Sequence, residues 1–343
     1  MKKSKLLIIP FIALVLAFSP VKNMLWHNPK GWPTPHYDFS KNPISTAKIE
    51  LGRALFYDPI LSQDNSISCA TCHSPYNAFA HTDHDLSHGI HDSIGTRNAP
   101  ALFNAAWQKS FMWDGAIQHL DMLALAPMSH PAEMGEDLVH VINKLQSSTL
   151  YPSMFNRAFG DSIITGEHLL KAISQFQLTL VSNGSKYDKV KSGEEDFTDQ
   201  EKNGYTLFLK NCNSCHAEPL FSTFEFANTG LPLDSTLNDL GKYAITHQAS
   251  DSIKFKIPSL RNLSFTYPYM HDGRFKKLSQ VINHYVSKKN QSSTLAEQLR
   301  SPIQLTANEK ADLIAFLLTL DDKSFVFDAK HQFPKEILLG SKE

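Results

Sequence analysis

Three features of the sequence predict a mainly α-helical protein made of two similar modules. Two Cys-x-x-Cys-His motifs, Cys69-Cys72-His73 and Cys212-Cys215-His216, use all four cysteines of the chain. Each follows a stretch whose apolar residues recur at helical spacing, and the alternating patterns that mark strands are sparse. The length of 343 residues suits two domains of about 150 residues each.

The elements follow in chain order. Lys2, Lys3 and Lys5 precede an apolar run from Leu6 to Phe18, the order of an export signal. Phe18, Ser19 and Pro20 make a poor cleavage site, so residues 1–22 are expected to be an export signal or a retained N-terminal membrane anchor. Either places the mature chain in the periplasm. Next, "PISTAKIELGRALFYDP" sets Ile44, Ala47, Leu51 and Leu55 on one helical face, with Pro59 as the stop. "GEHLLKAISQFQLTLVSN" reads as a strong amphipathic helix. The polar, glycine-containing segment 184–198 is the best linker, dividing domains at 23–190 and 191–343. Thr198 and Glu201 then form a capping box opening a helix with Tyr205, Phe208 and Leu209 on one side. Thr306 and Glu309 open the last clear helix in the same way, and packing of that helix on the one before the second motif is expected. A net charge of −1 gives no argument for nucleic acid or an anionic membrane surface as partner.

The two motifs carry the chemistry. Cys-x-x-Cys-His is the attachment signature of c-type haem. Two thiols three positions apart reach the vinyl groups on one porphyrin edge, and the adjacent histidine ligates iron. A four-ligand zinc site built from both cysteine pairs would leave two identically placed histidines unexplained. A redox dithiol would want a βαβ context that the surroundings do not offer. The expectation is therefore two cytochrome c-like domains, each with one covalently bound haem. Iron ligated on both faces carries electrons, whereas iron with an open face can bind peroxide.

"RNAPALFN" at 97–104, "WDG" at 113–115, "PAEMG" at 131–135 and "IPSLRN…TYPYMHDG" at 257–273 resemble the bacterial dihaem cytochrome c peroxidase family, including its MauG-type members. The resemblance spans roughly residues 43–320. It implies a peroxidatic N-terminal domain and an electron-transfer C-terminal domain. It also implies hydrogen peroxide as substrate and a small electron-donor protein, a cytochrome c or a cupredoxin, as partner; homodimers are usual among relatives. On this resemblance His73 is the proximal ligand of the first haem and Glu133 the distal carboxylate, able to shuttle a proton during peroxide cleavage. On residue type alone, Glu133 also reads as a dipole-favoured acid before a helix. Trp113 matches the indole between the haems, though a plain core tryptophan fits its pattern too. Asn98, Thr266 and Pro268 match positions that hold calcium, the last two through backbone carbonyls; oxygen-only ligands suit that ion. The second haem takes His216, and Tyr285, fourteen residues after His271, stands where many relatives have methionine and MauG-type members have tyrosine. An anionic phenolate favours oxidised iron. His284 and Met270 are the rival ligands, and a surface tyrosine is the bland alternative.

The chain departs from the family at two places near the distal face. Leu123 stands at the usual glutamine and Ala116 at the arginine of "WDGR". His81, His84, His88 and His91 cluster after the first motif, where some relatives hold a displaceable haem ligand; an exposed polar loop is the plainer reading. Three functions were weighed on these grounds: a dihaem peroxidase, a MauG-like oxidase turning peroxide-derived high-valent haem on a protein or organic substrate, and a non-enzymatic dihaem electron carrier.

Overall fold

The computed structural model describes residues 25–340. The expected N-terminal signal or anchor lies outside them. Among the described residues, no helix is long and apolar enough to cross a membrane. The long helices are α1 (Thr46–Tyr57), α2 (Leu138–Ser147), α3 (Tyr151–Phe159), α4 (Gly166–Thr179), α5 (Lys186–Ser192), α6 (Asp199–Asn211), α7 (Leu278–Val286) and α8 (Ala307–Leu318). The described sheet is a pair of two-residue antiparallel strands, β1 (Phe226–Ala227) and β2 (Phe255–Lys256). The mainly α reading is correct.

Most of these helices start where an N-cap side chain satisfies a free amide. Ser45 accepts from the Lys48 amide at α1, and Thr165 from His168 at α4. The capping boxes foreseen at α6 and α8 are both formed. Pro59 follows α1, with Asp58 accepting from the Ile60 amide to begin a short 3-10 turn.

Two helix crossings organise the molecule: α1 on α4, and α6 on α8. Each turns on a glycine. A Cβ at Gly52 would lie 1.8 Å from the Ala172 carbonyl oxygen, and one at Gly204 would lie 2.0 Å from that of Asp312. Four residues on, Phe56 and Phe208 are fully buried; four residues beyond the partner carbonyls, so are Phe176 and Phe316. Phe79 and Phe221, just after the two motifs, complete matching aromatic clusters. Burial of each such ring contributes ~1.5–3 kcal/mol. The correspondence continues in "PALFN" and "PSLRN". Asn104 and Asn262 both adopt left-handed backbone, with φ of 56° and 62°. Their amide oxygens accept from the Ser182 and Asp322 amides, at 2.9 and 2.8 Å. The internal repeat thus reaches well beyond the duplicated motif that the sequence displayed.

The segment 184–198 is not a plain linker. Ser185 and Asp188 form a capping box for α5, and Tyr187 is buried among the aromatics of the second cluster. Asp188 also pairs with the fully buried Arg261 at 2.7 and 2.8 Å. The polar composition that suggested a linker belongs to a capped helix pinned by an ion pair. Beyond α8 the chain turns back: Phe325 and Val326 pack into the cluster around Phe56 and Phe79, and Ile337 and Leu338 reach the core around Leu51 and Leu55.

Gly52→Val is expected to destabilise the holoprotein by about 1–3 kcal/mol, because overpacking at a backbone contact forces α1 off α4. Equilibrium denaturant unfolding checks this; an unchanged midpoint would contradict the crossing.

Candidate functional site

Both motifs open onto one continuous cavity of about 660 Å³, lined by Cys69, Cys72 and His73 and by Cys212, Cys215 and His216. Cys69–Cys72 forms a single helical turn, whereas Cys212 caps the C-terminus of α6. The two histidines are held alike. His73 Nδ1 lies 2.9 Å from the Phe79 carbonyl. His216 Nδ1 lies 3.2 Å from the Phe221 carbonyl and 3.1 Å from that of Pro258. A carbonyl can only accept, so Nδ1 carries the proton and Nε2 keeps its lone pair for another partner. Burial pushes both imidazoles down to about 4, so they are neutral near pH 7. Burial also holds three of the thiols protonated, Cys69 and Cys212 pushed up to about 12 and Cys72 to about 11. Among the described residues, no three His, Cys, Asp or Glu side chains converge on a metal ion. Paired thiols beside a neutral histidine with a free Nε2, repeated on one cavity, is the donor set that covalent haem requires.

Glu133 lies in the turn His130–Gly135, whose Glu133 and Gly135 amides both donate to the His130 carbonyl at 3.0 Å. Its side chain lines the cavity, and burial raises its carboxyl above the usual glutamate range while His130 opposes the shift. The cap of α2 is Asp137, which accepts from the Val139 and His140 amides at 2.9 and 3.2 Å. Asp137, not Glu133, supplies the side-chain cap of this helix.

Trp113 lines the same cavity; its indole N–H donates to the Asn98 carbonyl at 2.8 Å and its own carbonyl accepts from the Lys256 amide at 2.7 Å. Beside it, Arg97 reaches Asp114 at 2.6 Å and Asp239 at 2.6 and 2.9 Å. Asn98, Thr266 and Pro268 come together: all three line the cavity, and the Asn98 side-chain amide sits 2.6 Å from the Pro268 carbonyl.

Tyr285, on α7, faces the second motif. Burial, and then the nearby Cys212 and Cys215, push its hydroxyl well above the ordinary tyrosine value. His284 turns away, its Nε2 lying 3.0 Å from the Thr229 carbonyl and its Nδ1 3.4 Å from Lys289. Met270 also lines the cavity. In the histidine cluster, His81 Nε2 is 3.1 Å from His84 Nδ1, and the His84 and His88 rings stack at 4.0 Å. His88 lines the cavity, whereas His91 is exposed and 3.9 Å from Asp64. Leu123 lines the cavity; the Ala116 amide donates to Asp114 at 3.0 Å.

Sequence reasoning missed Gln177 and Lys256. Gln177 is 5% exposed, lines the cavity, and its Oε1 has no protein partner. The available signal was a glutamine on the apolar face of α4.

Comparison with known proteins agrees with this geometry. The family profile described as di-haem cytochrome c peroxidase matches residues 46–196. The methylamine utilization protein MauG of Methylophilus methylotrophus is 33% identical over 90% of this chain and 95% of its own. The chain belongs to the di-haem cytochrome c peroxidase family. Cytochrome c551 peroxidase of Nitrosomonas europaea is 31% identical, covering 81% of each chain. Among solved structures, a MauG-like protein associated with microbial copper homeostasis superposes with a TM-score of 0.80 at 32% identity, over 90% of this chain and 99% of that one. Membership of this family makes the protein a haem oxidoreductase and implies two c-type haems.

Proposed function

We propose that the protein reduces hydrogen peroxide to water in the periplasm, using electrons from a small redox protein, and that two cytochrome c-like modules centred on α1/α4 and α6/α8 hold one haem each. The carrying observation is the asymmetry of the cavity: a partnerless carboxyl, Glu133, at the first motif and a phenol, Tyr285, at the second. When bound, the haems supply iron that takes two oxidising equivalents from peroxide.

The chain's own residues do the rest. The four thiols would anchor the haems, His73 and His216 would offer Nε2 to iron, and Tyr285 would offer its oxygen to the iron held by the second motif. Reduction of one peroxide consumes two electrons and two protons. Glu133 would carry a proton between the two oxygens of peroxide, acting first as base and then as acid. Burial, which lifts its proton affinity, suits it to that exchange. Trp113 stands in the cavity as an aromatic bridge between the two halves. Asn98 and the Thr266 and Pro268 carbonyls form an oxygen-rich corner for calcium, with water completing the shell.

A second reading is favoured by Tyr285 and Leu123. A phenolate ligand from Tyr285 would stabilise oxidised iron, and an apolar Leu123 would slow peroxide turnover, so that oxidising equivalents would be spent on a protein or organic substrate, as in MauG-type enzymes. Mixing with one equivalent of peroxide and following the haem spectrum separates the readings. Rapid recovery with reduced cytochrome c or cupredoxin supports the peroxidase. A persistent oxidised state that only another substrate discharges supports the oxidase, and an unchanged spectrum supports a plain carrier.

Three outcomes are expected. Glu133→Gln retains both haems but reacts with peroxide at least ~10²-fold more slowly. In the wild type the rate rises with pH through the Glu133 pKa, which lies above 4.5, because the ionised form is the base. The Gln variant loses that limb, and an unaltered stopped-flow rate would remove Glu133 from the reaction. Tyr285→Phe raises the midpoint potential of the second haem and alters its coordination spectrum; if neither moves, another residue is the ligand. Chelation of calcium lowers activity and thermal stability of the wild type, and added Ca²⁺ restores both, whereas Asn98→Ala needs more Ca²⁺ for the same recovery in a titration.

A further inference from the structure

Lys256 lies in β2 and is 8% exposed, yet its side chain has no anionic partner. Its ammonium donates to the Ser110 carbonyl and to Gln108 Oε1 at 3.3 Å, and stands 5.5 Å over the Phe111 ring. All three are uncharged. Among the described residues no carboxylate lies within ion-pair distance of it. Asp114, the carboxylate whose charge bears on it, is taken by Arg97 at 2.6 Å and by the Ala116 amide. A buried cation held only by neutral acceptors is unstable as a charge, and burial depresses this amine to about 7. An anion brought in from outside the chain would compensate the charge that no side chain here compensates.

Its position says where from. Lys256 and Gln108 both line the cavity that the two motifs share. Lys256 stands two residues before Pro258, whose carbonyl holds His216, just as Asn98 stands two residues before Pro100 in the first half. The pair grips Trp113 from both sides, Asn98 through the indole N–H and Lys256 through the backbone carbonyl.

We propose that Lys256, with Gln108, is the binding site for a carboxylate of one haem, a propionate, and that its charge raises that haem's potential at the place where Trp113 joins the two halves. The inference rests on the two-haem reading. A positive charge beside the porphyrin favours the reduced iron, which carries one positive charge fewer, so Lys256 makes this haem easier to reduce.

The test is spectroelectrochemical titration of the holoprotein, with haem content measured separately. Lys256→Met is expected to lower one midpoint potential and leave the other in place, and Lys256→Arg to restore it. Lys256→Gln, which keeps a donor toward Ser110 without charge, is read in the same way if the Met variant fails to load. Both potentials unmoved in a neutral variant carrying two haems would overturn the proposal. So would a fall that arginine does not reverse, since packing rather than charge would then be responsible. A wild type carrying fewer than two haems would instead defeat the two-haem reading, and haem content reports that independently.

Discussion

The structure depends on two places where helix backbones touch. At Gly52 and at Gly204 no side chain fits between one helix and a carbonyl of the next. That approach fixes the crossing of α1 on α4 and of α6 on α8, and brings Phe56 and Phe176, or Phe208 and Phe316, into one layer. Phe79 and Phe221 pack into those layers, and their carbonyls orient His73 and His216. The local chemistry at each motif is thus a downstream result of a glycine in the preceding helix, 17 residues before Cys69 (69 − 52) and 8 before Cys212 (212 − 204). The repetition of the whole arrangement explains why both imidazoles present the same nitrogen to the same cavity.

Against that shared frame the two ends of the cavity differ, and the differences carry the function. The first has an acid with no partner and an aliphatic Leu123; the second has a buried phenol that feels the charge of Cys212 and Cys215. In the proposed function proton traffic belongs to one end and charge storage to the other. Between them Arg97 pairs with both Asp114 and Asp239, so most of the charge in that region is compensated locally.

Much of this was legible in the residues. The motifs, the capping boxes at Thr198 and Thr306 and the amphipathic run in α4 are local patterns, and local patterns survive folding. The resemblance to the family drew attention to Glu133, Trp113, Asn98 and Tyr285, all of which line the cavity. What the sequence hid is long-range. Asp188 looks like one more polar residue of a linker until Arg261, seventy-three positions later, is seen to pair with it. Gln177 follows Gln175 and Lys256 follows Lys254 two positions on, and nothing local in the sequence says which of each pair faces the cavity. The deeper repeat was concealed because it is a set of contacts, with glycine, phenylalanine and asparagine at matched places and little shared sequence between them.

The returning C-terminal segment has one further consequence. Phe325, Val326 and Leu338 pack into the aromatic cluster around Phe79, so the core beside the first motif is built partly from residues beyond α8. The first half of the chain, taken alone, lacks part of its own interior, and the two halves are one structural unit at that cluster.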